Sequence, residues 1–179
     1  MRLSHLTAMI CAAALAACAS TPPEGMKPVT LVAKVDIPRF MGDWYVIAAI
    51  ATSLEKGAHN SKDSYRLEAD GTIPTTFTFN ADGFDGPRKS YESRGFVIDP
   101  SGAVWGQQYV WPIKADYRIS YLSADYKETV ITREKRDYVW IMSRTPILPE
   151  AELARLIAFV GTQGYDTSKI QRVPQASGG

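Results

Sequence analysis

Histidines are the first side chains to consider as a source of catalysis or metal binding in this sequence. The chain has two, His5 and His59, and His5 lies in a segment that we expect to be removed. One remaining histidine makes a histidine-based triad or a metal cluster hard to build. The sequence has no HExxH, no CxxC, no Gly-rich phosphate loop before a helix and no nucleophile elbow. We therefore predict a protein that is not an enzyme, with no metal and no cofactor.

Carboxylates occur in pairs along the sequence, Glu55 with Asp63 and Asp82 with Asp85, and such pairs can act as general acid and base. We place all four at turns or at the mouth of the domain described below. The charged run 133–137 lies at a predicted hairpin turn and is interpreted as a solvated tip. These charges do not favour an active site.

Composition restricts the class of protein further. The chain has 179 residues, of which 45% are hydrophobic and 11% aromatic; this excludes a disordered chain and suits one domain. A net charge of +1 provides no basic surface for nucleic acid. Two cysteines, Cys11 and Cys18, are too few for a disulfide scaffold.

The first residues have the features of an export signal. Arg2 is followed by an apolar run over residues 6–17, which is too short to span a hydrocarbon core of about 30 Å. The run ends in Leu-Ala-Ala-Cys at residues 15–18, which resembles the lipobox of bacterial lipoproteins. The resemblance implies that residues 1–17 are removed and that Cys18 is acylated with chains such as palmitate. An ordinary secretory signal with a chance cysteine is the alternative.

The residues after the cysteine indicate where the anchor goes. Ala19 is not the aspartate that signals inner-membrane retention in enterobacterial lipoproteins, so we expect the periplasmic face of the outer membrane. Without Arg2, 19 basic and 19 acidic residues remain, so attachment must come from acyl chains and not from a basic patch. Residues 18–34 are interpreted as the anchored N-terminus and a tether.

Turn signals divide the rest of the chain into an all-β pattern. Asp-Gly pairs at 70–71, 82–83 and 85–86 fall between β-branched or aromatic runs. Eight strands, joined by short connections except for the first, pair as successive hairpins, and closing them into a barrel removes both sheet edges. Eight strands leave an interior just wide enough for side chains or one small ligand. The predicted strands are 43–52, 62–69, 72–80, 88–98, 103–111, 115–123, 126–133 and 137–144.

One helix follows the strands. Pro149 suits its first turn, and Leu153, Leu156, Ile157 and Val160 form an apolar stripe at helical spacing. We expect this stripe to dock on the outside of the barrel; a partner-binding helix is the alternative. Residues 168–173 are a candidate for a short last strand. The predicted fold is therefore an eight-stranded up-and-down antiparallel barrel with one C-terminal α-helix packed outside.

Specific residues resemble the lipocalin family. Gly42-Asp43-Trp44 matches its Gly-x-Trp motif, Ala124-Asp125-Tyr126 matches the Thr-Asp-Tyr turn with Ala in place of Thr, and Arg144 matches the arginine that ends the eighth strand. The resemblance is particularly to bacterial lipoprotein lipocalins related to apolipoprotein D. It covers residues 35–173, which we assign to the domain, and leaves 174–179 as a tail.

Strand direction predicts a closed and an open end. Trp44, Asp125, Tyr126 and Arg144 fall at strand ends that share one end of the barrel, and we expect them to form its floor with the Arg144 guanidinium over the Trp44 indole. The connections 53–61, 81–87, 112–114 and 134–136 then form the mouth, where Leu54, Phe84, Trp111 and Ile113 lie.

Alternation along the strands predicts the interior. An inward Trp44 turns Val46, Ala48 and Ile50 inward, and strands five and six contribute Trp105 and Tyr121 as well. A filled barrel, in which the aromatic side chains pack on one another, is the alternative to a cavity. The predicted ligand-binding residues are Ile50, Leu54, Tyr109, Trp111, Tyr117, Ile119, Tyr138, Trp140 and Met142.

The resemblance and the anchor together imply a lipid carrier. We expect an outer-membrane lipocalin that binds a fatty acid or a lysophospholipid, for lipid transport or storage in envelope maintenance. A lipocalin-fold enzyme acting on an isoprenoid or oxidised lipid and a tethered interaction module with a filled barrel are the alternatives. Homodimerisation stays open.

Overall fold

The structure is a computed structural model that describes residues 20–176. The predicted signal peptide and Cys18 lie outside the described residues. The helices are α1 (Ile37–Phe40) and α2 (Glu150–Thr162), and 3₁₀ turns lie at Ser53–Glu55 and Thr167–Lys169. The strands are β1 (Gly42–Ile50), β2 (Ala58–Tyr65), β3 (Ile73–Ala81), β4 (Arg88–Val97), β5 (Val104–Val110), β6 (Ile113–Leu122), β7 (Glu128–Thr132), β8 (Val139–Ser143) and β9 (Gln171–Arg172).

The first eight strands form a closed antiparallel barrel, which confirms the predicted fold. Each strand pairs with the next in the chain, and β1 pairs with both β2 and β8. This closure leaves no free edge in the barrel itself. The short β9 adds to β1 outside the barrel, with Ala48 opposite Arg172.

Two β-bulges change which side chains face inward. The register between β1 and β8 shifts at Ile47, so that Val46 and Ala49 pack in the interior while Ala48 and Ile50 face outward to α2. The prediction that Ala48 and Ile50 point inward is therefore wrong. A second shift between Ile119 and Tyr121 turns Tyr121 outward, where it packs with the helix, so its predicted inward position is also wrong. One extra residue in a strand reverses the alternation beyond it.

Helix α2 docks on the outside of the barrel, as its apolar stripe predicts. Leu153, Leu156 and Val160 are buried against an outer cluster that includes Ile47 and Val139. Among the described residues no helix is long and apolar enough to cross a membrane.

The N-terminal segment lies against the barrel over residues 29–35. The Val29 amide donates to Glu134 Oε2 over 3.4 Å, and the Val35 amide donates to the Ser101 carbonyl over 2.8 Å. Glu134 is 2% exposed and pairs with Arg118 and Arg136. The interpretation of the run 133–137 as a solvated tip is therefore wrong at Glu134, because the carboxylate is buried between two arginines.

Candidate ligand-binding site

The closed end of the barrel is formed by a stack of Arg144 on Trp44. The Arg144 Cζ atom lies 3.9 Å from the indole centroid, and its guanidinium donates to the carbonyls of Asp43 and Phe40 over 2.8 and 2.9 Å. The Trp44 Nε1 donates to the Phe40 carbonyl over 2.9 Å. Gly42 has φ +94°, and a Cβ there would lie 3.3 Å from Arg144 Nη1, so glycine leaves room for the stack. The structure thus brings Trp44 and Arg144 together at the floor.

The turn between β6 and β7 completes this end. The Tyr126 hydroxyl accepts from the Asp36 amide over 2.9 Å, and its ring lies 4.2 Å from the Arg39 Cζ. Tyr126 therefore fixes α1 across the barrel. Asp125 is exposed and accepts from the Ser123 hydroxyl over 2.8 Å, so it shapes its own turn; among the described residues its ion-pair partner is Lys127 and not Arg144.

A cavity of about 290 Å³ lies above the floor and opens between the mouth loops. Its deep end rests on packed rings, with Trp105 and Tyr117 stacked at 5.0 Å and Phe40 5.5 Å from Trp105. The barrel is therefore not filled. The lining residues are Thr52, Ser53, Leu54, Glu55, Asp63, Tyr65, Thr75, Phe77, Tyr91, Gln107, Tyr109, Ala115, Asp116, Tyr117, Ile131, Arg133, Trp140 and Met142.

The deep end of the cavity is polar but uncharged. The hydroxyls of Tyr65 and Tyr117 are 3.0 Å apart and hydrogen-bonded to each other. Burial raises the pKa of both tyrosines well above the usual value, so both stay protonated. Gln107 Oε1 is buried and has no hydrogen-bond partner within the described residues.

Three acidic residues line the cavity, Glu55, Asp63 and Asp116, and Asp116 is paired with Arg118 over 2.8 Å. Glu55 accepts from the Trp140 Nε1 and from the Thr52 amide, each over 2.7 Å, so the mouth loop is fastened to the inner wall. Burial, and after it the negative charge of Glu55, raises the pKa of Asp63 from 3.8 to about 8, against an opposing hydrogen bond from Tyr65. No cation contributes to holding Asp63 ionised.

One cation lies on the same lining. Arg133 borders the cavity, and its Cζ lies 5.3 Å from the Tyr138 ring centroid. Its Nε is 3.4 Å from Asp137 Oδ1 but makes no hydrogen bond within residues 20–176. The lining therefore combines acidic groups with a guanidinium that has unused donor capacity.

Five of the nine predicted ligand-binding residues line the cavity. They are Leu54, Tyr109, Tyr117, Trp140 and Met142.

The other four lie elsewhere, each for a structural reason. Ile50 is outside the barrel because of the bulge at Ile47. Trp111 is 82% exposed because it occupies the β5–β6 connection beyond the end of β5. Ile119 does point inward but is fully buried in the interior cluster, away from the lumen. Tyr138 precedes β8, with its ring 6.2 Å from that of Trp140, and does not line the cavity.

Sequence reasoning missed the wall formed by β2, β3 and β4. Asp63, which we placed at a turn or at the mouth, lies inside β2 opposite Trp44. Alternation from Tyr65 could have assigned it inward, but an acidic side chain is rarely placed in a barrel interior. Phe77 and Tyr91 face each other on β3 and β4 and line the cavity.

The geometry defines a class of protein, namely small antiparallel barrels with a cavity that is closed at one end. A family model described as a lipocalin-like domain matches residues 35–175, and the chain belongs to the lipocalin family.

Named relatives show which members of the family the chain is similar to. The chain is 32% identical to the outer membrane lipoprotein Blc of Escherichia coli K12 over 179 residues, covering 98% of each. It is 29% identical to temperature-induced lipocalin-1 of Arabidopsis thaliana, covering 84% of each. Among solved structures, apocrustacyanin C2 superposes with a TM-score of 0.63 at 15% identity, over 84% of this chain and 91% of that one. The last likeness shows the fold alone.

A metal site finds no support in the part of the chain that the structure describes. No group of three or more His, Cys, Asp and Glu side chains is arranged there to hold an ion.

Proposed function

We propose that this lipocalin binds the acyl chain of a single-chain lipid in its cavity. The observation that carries the proposal is the cavity of about 290 Å³, closed below by the Trp44–Arg144 floor and open above. A cavity of about 290 Å³ is just below the range of about 300–1,000 Å³ for ligand pockets, which suits one narrow chain better than a two-chain lipid or a bulky ring system. Each buried methylene contributes about 0.8 kcal/mol before ordering costs.

The lining favours a lysophospholipid over a fatty acid. A fatty acid would bring a further carboxyl group into a lining that already holds Glu55, Asp63 and Asp116, which opposes its ionisation there. A lysophospholipid head supplies hydroxyl or ammonium donors for the carboxyl groups of Glu55 and Asp63. The phosphate of the head group can accept hydrogen bonds from the Arg133 guanidinium.

We further propose that the protein is a lipoprotein of the outer membrane, acylated on Cys18, that carries or stores lipid at the periplasmic face. Three relatives named outer membrane lipoprotein Blc, from Citrobacter freundii, Escherichia coli K12 and Vibrio cholerae, support this assignment. The lipobox at residues 15–18 supports it independently. The lack of catalytic motifs favours a carrier over an enzyme.

Binding of two ligands with the same chain tests the proposal. Palmitate and palmitoyl-lysophosphatidylethanolamine are titrated into the unacylated chain from residue 19 onward, below their critical micelle concentrations, with tryptophan fluorescence as the readout because Trp140 lines the cavity. We expect the lysophospholipid to bind severalfold more tightly and to be recovered unaltered. No binding of either ligand would refute the cavity proposal, equal affinities would refute the head-group preference, and a converted ligand would establish an enzyme.

A matched pair of substitutions locates the binding site. Phe77→Trp places a larger ring in the cavity wall and should weaken binding of both ligands. Phe159→Trp makes the same change on α2 outside the barrel and should leave both affinities unaltered. Equal effects of the two variants would place the ligand elsewhere.

A further inference from the structure

The path of the N-terminal segment relates the anchor to the mouth of the barrel. The Asp36 amide contacts Tyr126 at the closed end. Going backward along the chain, the Thr30 amide donates to Gln163 Oε1 over 2.7 Å, and the Lys27 carbonyl accepts from Arg136 Nη2 over 2.5 Å. Arg136 belongs to the connection between β7 and β8, at the open end. The segment thus runs along the outside of the barrel from the closed end to the open end.

The chain stays on the barrel almost to the acylation site. The Ser20 carbonyl lies 3.4 Å from Arg118 Nη2, on β6. Cys18 is two residues before Ser20, and two extended residues span at most about 7 Å. Acyl chains on Cys18 would therefore enter the bilayer close to β6, with no long linker that could let the barrel turn over.

The open end near β6 also carries exposed apolar side chains. The β5–β6 tip, residues 109–113, has Val110 68%, Trp111 82% and Ile113 70% exposed. Leu54 and Phe84, on other mouth loops, are 61% and 46% exposed. Apolar side chains grouped on one end of a soluble domain mark an interaction surface, and tryptophan is favoured at the membrane–water interface.

We propose that the β5–β6 tip rests in the bilayer that holds the Cys18 acyl chains, so that the mouth of the barrel faces the lipid. The proposal rests on the acylation of Cys18 proposed above. A bilayer fits better than a second copy because the anchor already holds the tip beside the membrane at every protein concentration. In this orientation a lipid tail can pass between the bilayer and the cavity with little exposure to water.

Two tryptophan reporters at opposite ends of the barrel test the orientation. Both are placed in the acylated full-length protein with Trp111→Phe, reconstituted in phosphatidylethanolamine–phosphatidylglycerol vesicles with and without brominated acyl chains. Ile113→Trp reports on the tip, and Ile98→Trp reports on the closed end, where Ile98 is 56% exposed in the β4–β5 connection. The protein with Trp111→Phe alone gives the background from the three remaining tryptophans.

We expect brominated chains to quench the Ile113→Trp reporter severalfold more than the Ile98→Trp reporter. Equal quenching, stronger quenching at Ile98, or quenching at neither position would overturn the proposal. A blue shift of the Ile113→Trp reporter that grows with protein concentration, without quenching, would assign the tip to a second copy instead.

Failure of the underlying function gives a different result. The mass of the intact protein shows whether Cys18 carries acyl chains. If Cys18 is not acylated, the proposed anchor and the proposed orientation are both overturned. Lipid binding by the unacylated chain is measured separately, so an unquenched tip on an acylated protein that still binds lipid refutes the orientation alone.

Discussion

Asp63 is a half-buried carboxyl in the cavity wall whose replacement by asparagine should stabilise the protein, increasingly as the pH rises. The ordinary pKa of an aspartate is 3.8. In the folded protein the pKa of Asp63 is raised to about 8, first by burial and then by the charge of Glu55. Between these two pH values the folded protein keeps a proton that the unfolded chain has released. The free energy of unfolding therefore falls as the pH rises through this window, and the penalty is complete above pH 8.

The size of the effect follows from the same two values. At 1.36 kcal/mol per pH unit, the difference between 3.8 and about 8 gives an upper limit of roughly 6 kcal/mol at pH 9. Because the carboxyl faces a cavity that is open to water, solvation of the charged form reduces this to a few kcal/mol. Asp63→Asn carries no such charge, so it should match the wild type near pH 4 and exceed it by a few kcal/mol at pH 9.

Urea unfolding of the ligand-free chain at pH values from 4 to 9 measures this difference. Asp70→Asn is the control, because hydrogen bonds from Thr72 lower the pKa of Asp70. Its contribution to stability is present above pH 3.8 and lost in acid, so that substitution should destabilise at neutral pH. Parallel curves for the wild type and Asp63→Asn across the whole range would refute the assignment of Asp63 as a desolvated carboxyl with no cation beside it.

Three further predictions concern the floor of the barrel, the contacts of the N-terminal segment and the acidic residue Asp63 in the cavity wall. Arg144→Lys loses the flat stacking on the floor and should lower the free energy of unfolding by about 2 kcal/mol; an unchanged urea midpoint would contradict the floor role. Glu134→Gln removes the buried counter-charge of Arg136 and leaves Arg118 with Asp116 alone; it should cost about 3 kcal/mol, and a loss below 1 kcal/mol would contradict this. Binding of palmitoyl-lysophosphatidylethanolamine at pH 7 should release protons from Asp63, seen by calorimetry in buffers of different ionisation enthalpy; identical heats after correction, or release that persists in Asp63→Asn, would contradict this.

The barrel and its floor could be predicted because their signals are local. Gly42 and Trp44 fall in one short motif, and turn residues mark most strand boundaries. The direction of hairpin-linked strands then requires Trp44, Tyr126 and Arg144 to share one end. The structure shows that arrangement, with Arg144 stacked on Trp44.

The interior could be predicted only as far as the strands stay regular. Residues 46–50 are all apolar, so no polar side chain marks the bulge at Ile47 or indicates that Ile50 faces outward. Tyr121 is equally ambiguous, because its ring packs near Phe159 while its hydroxyl accepts from Arg155. A bulge is set by the pairing of two strands, and the sequence of one strand does not reveal it.

Two acidic side chains of the barrel, Glu134 and Asp63, differ in a way that bears on function. Glu134 is enclosed by Arg118 and Arg136 and holds the Val29 amide, so its charge is satisfied within the chain and serves the fold. Asp63 has no cation among the described residues and faces the cavity. At neutral pH this carboxyl lowers the stability of the fold, and an asparagine in its place could make the same hydrogen bonds without that cost. Its presence is accounted for if the head group of the lipid brings a cationic donor in addition to the Tyr65 hydroxyl that the free protein provides.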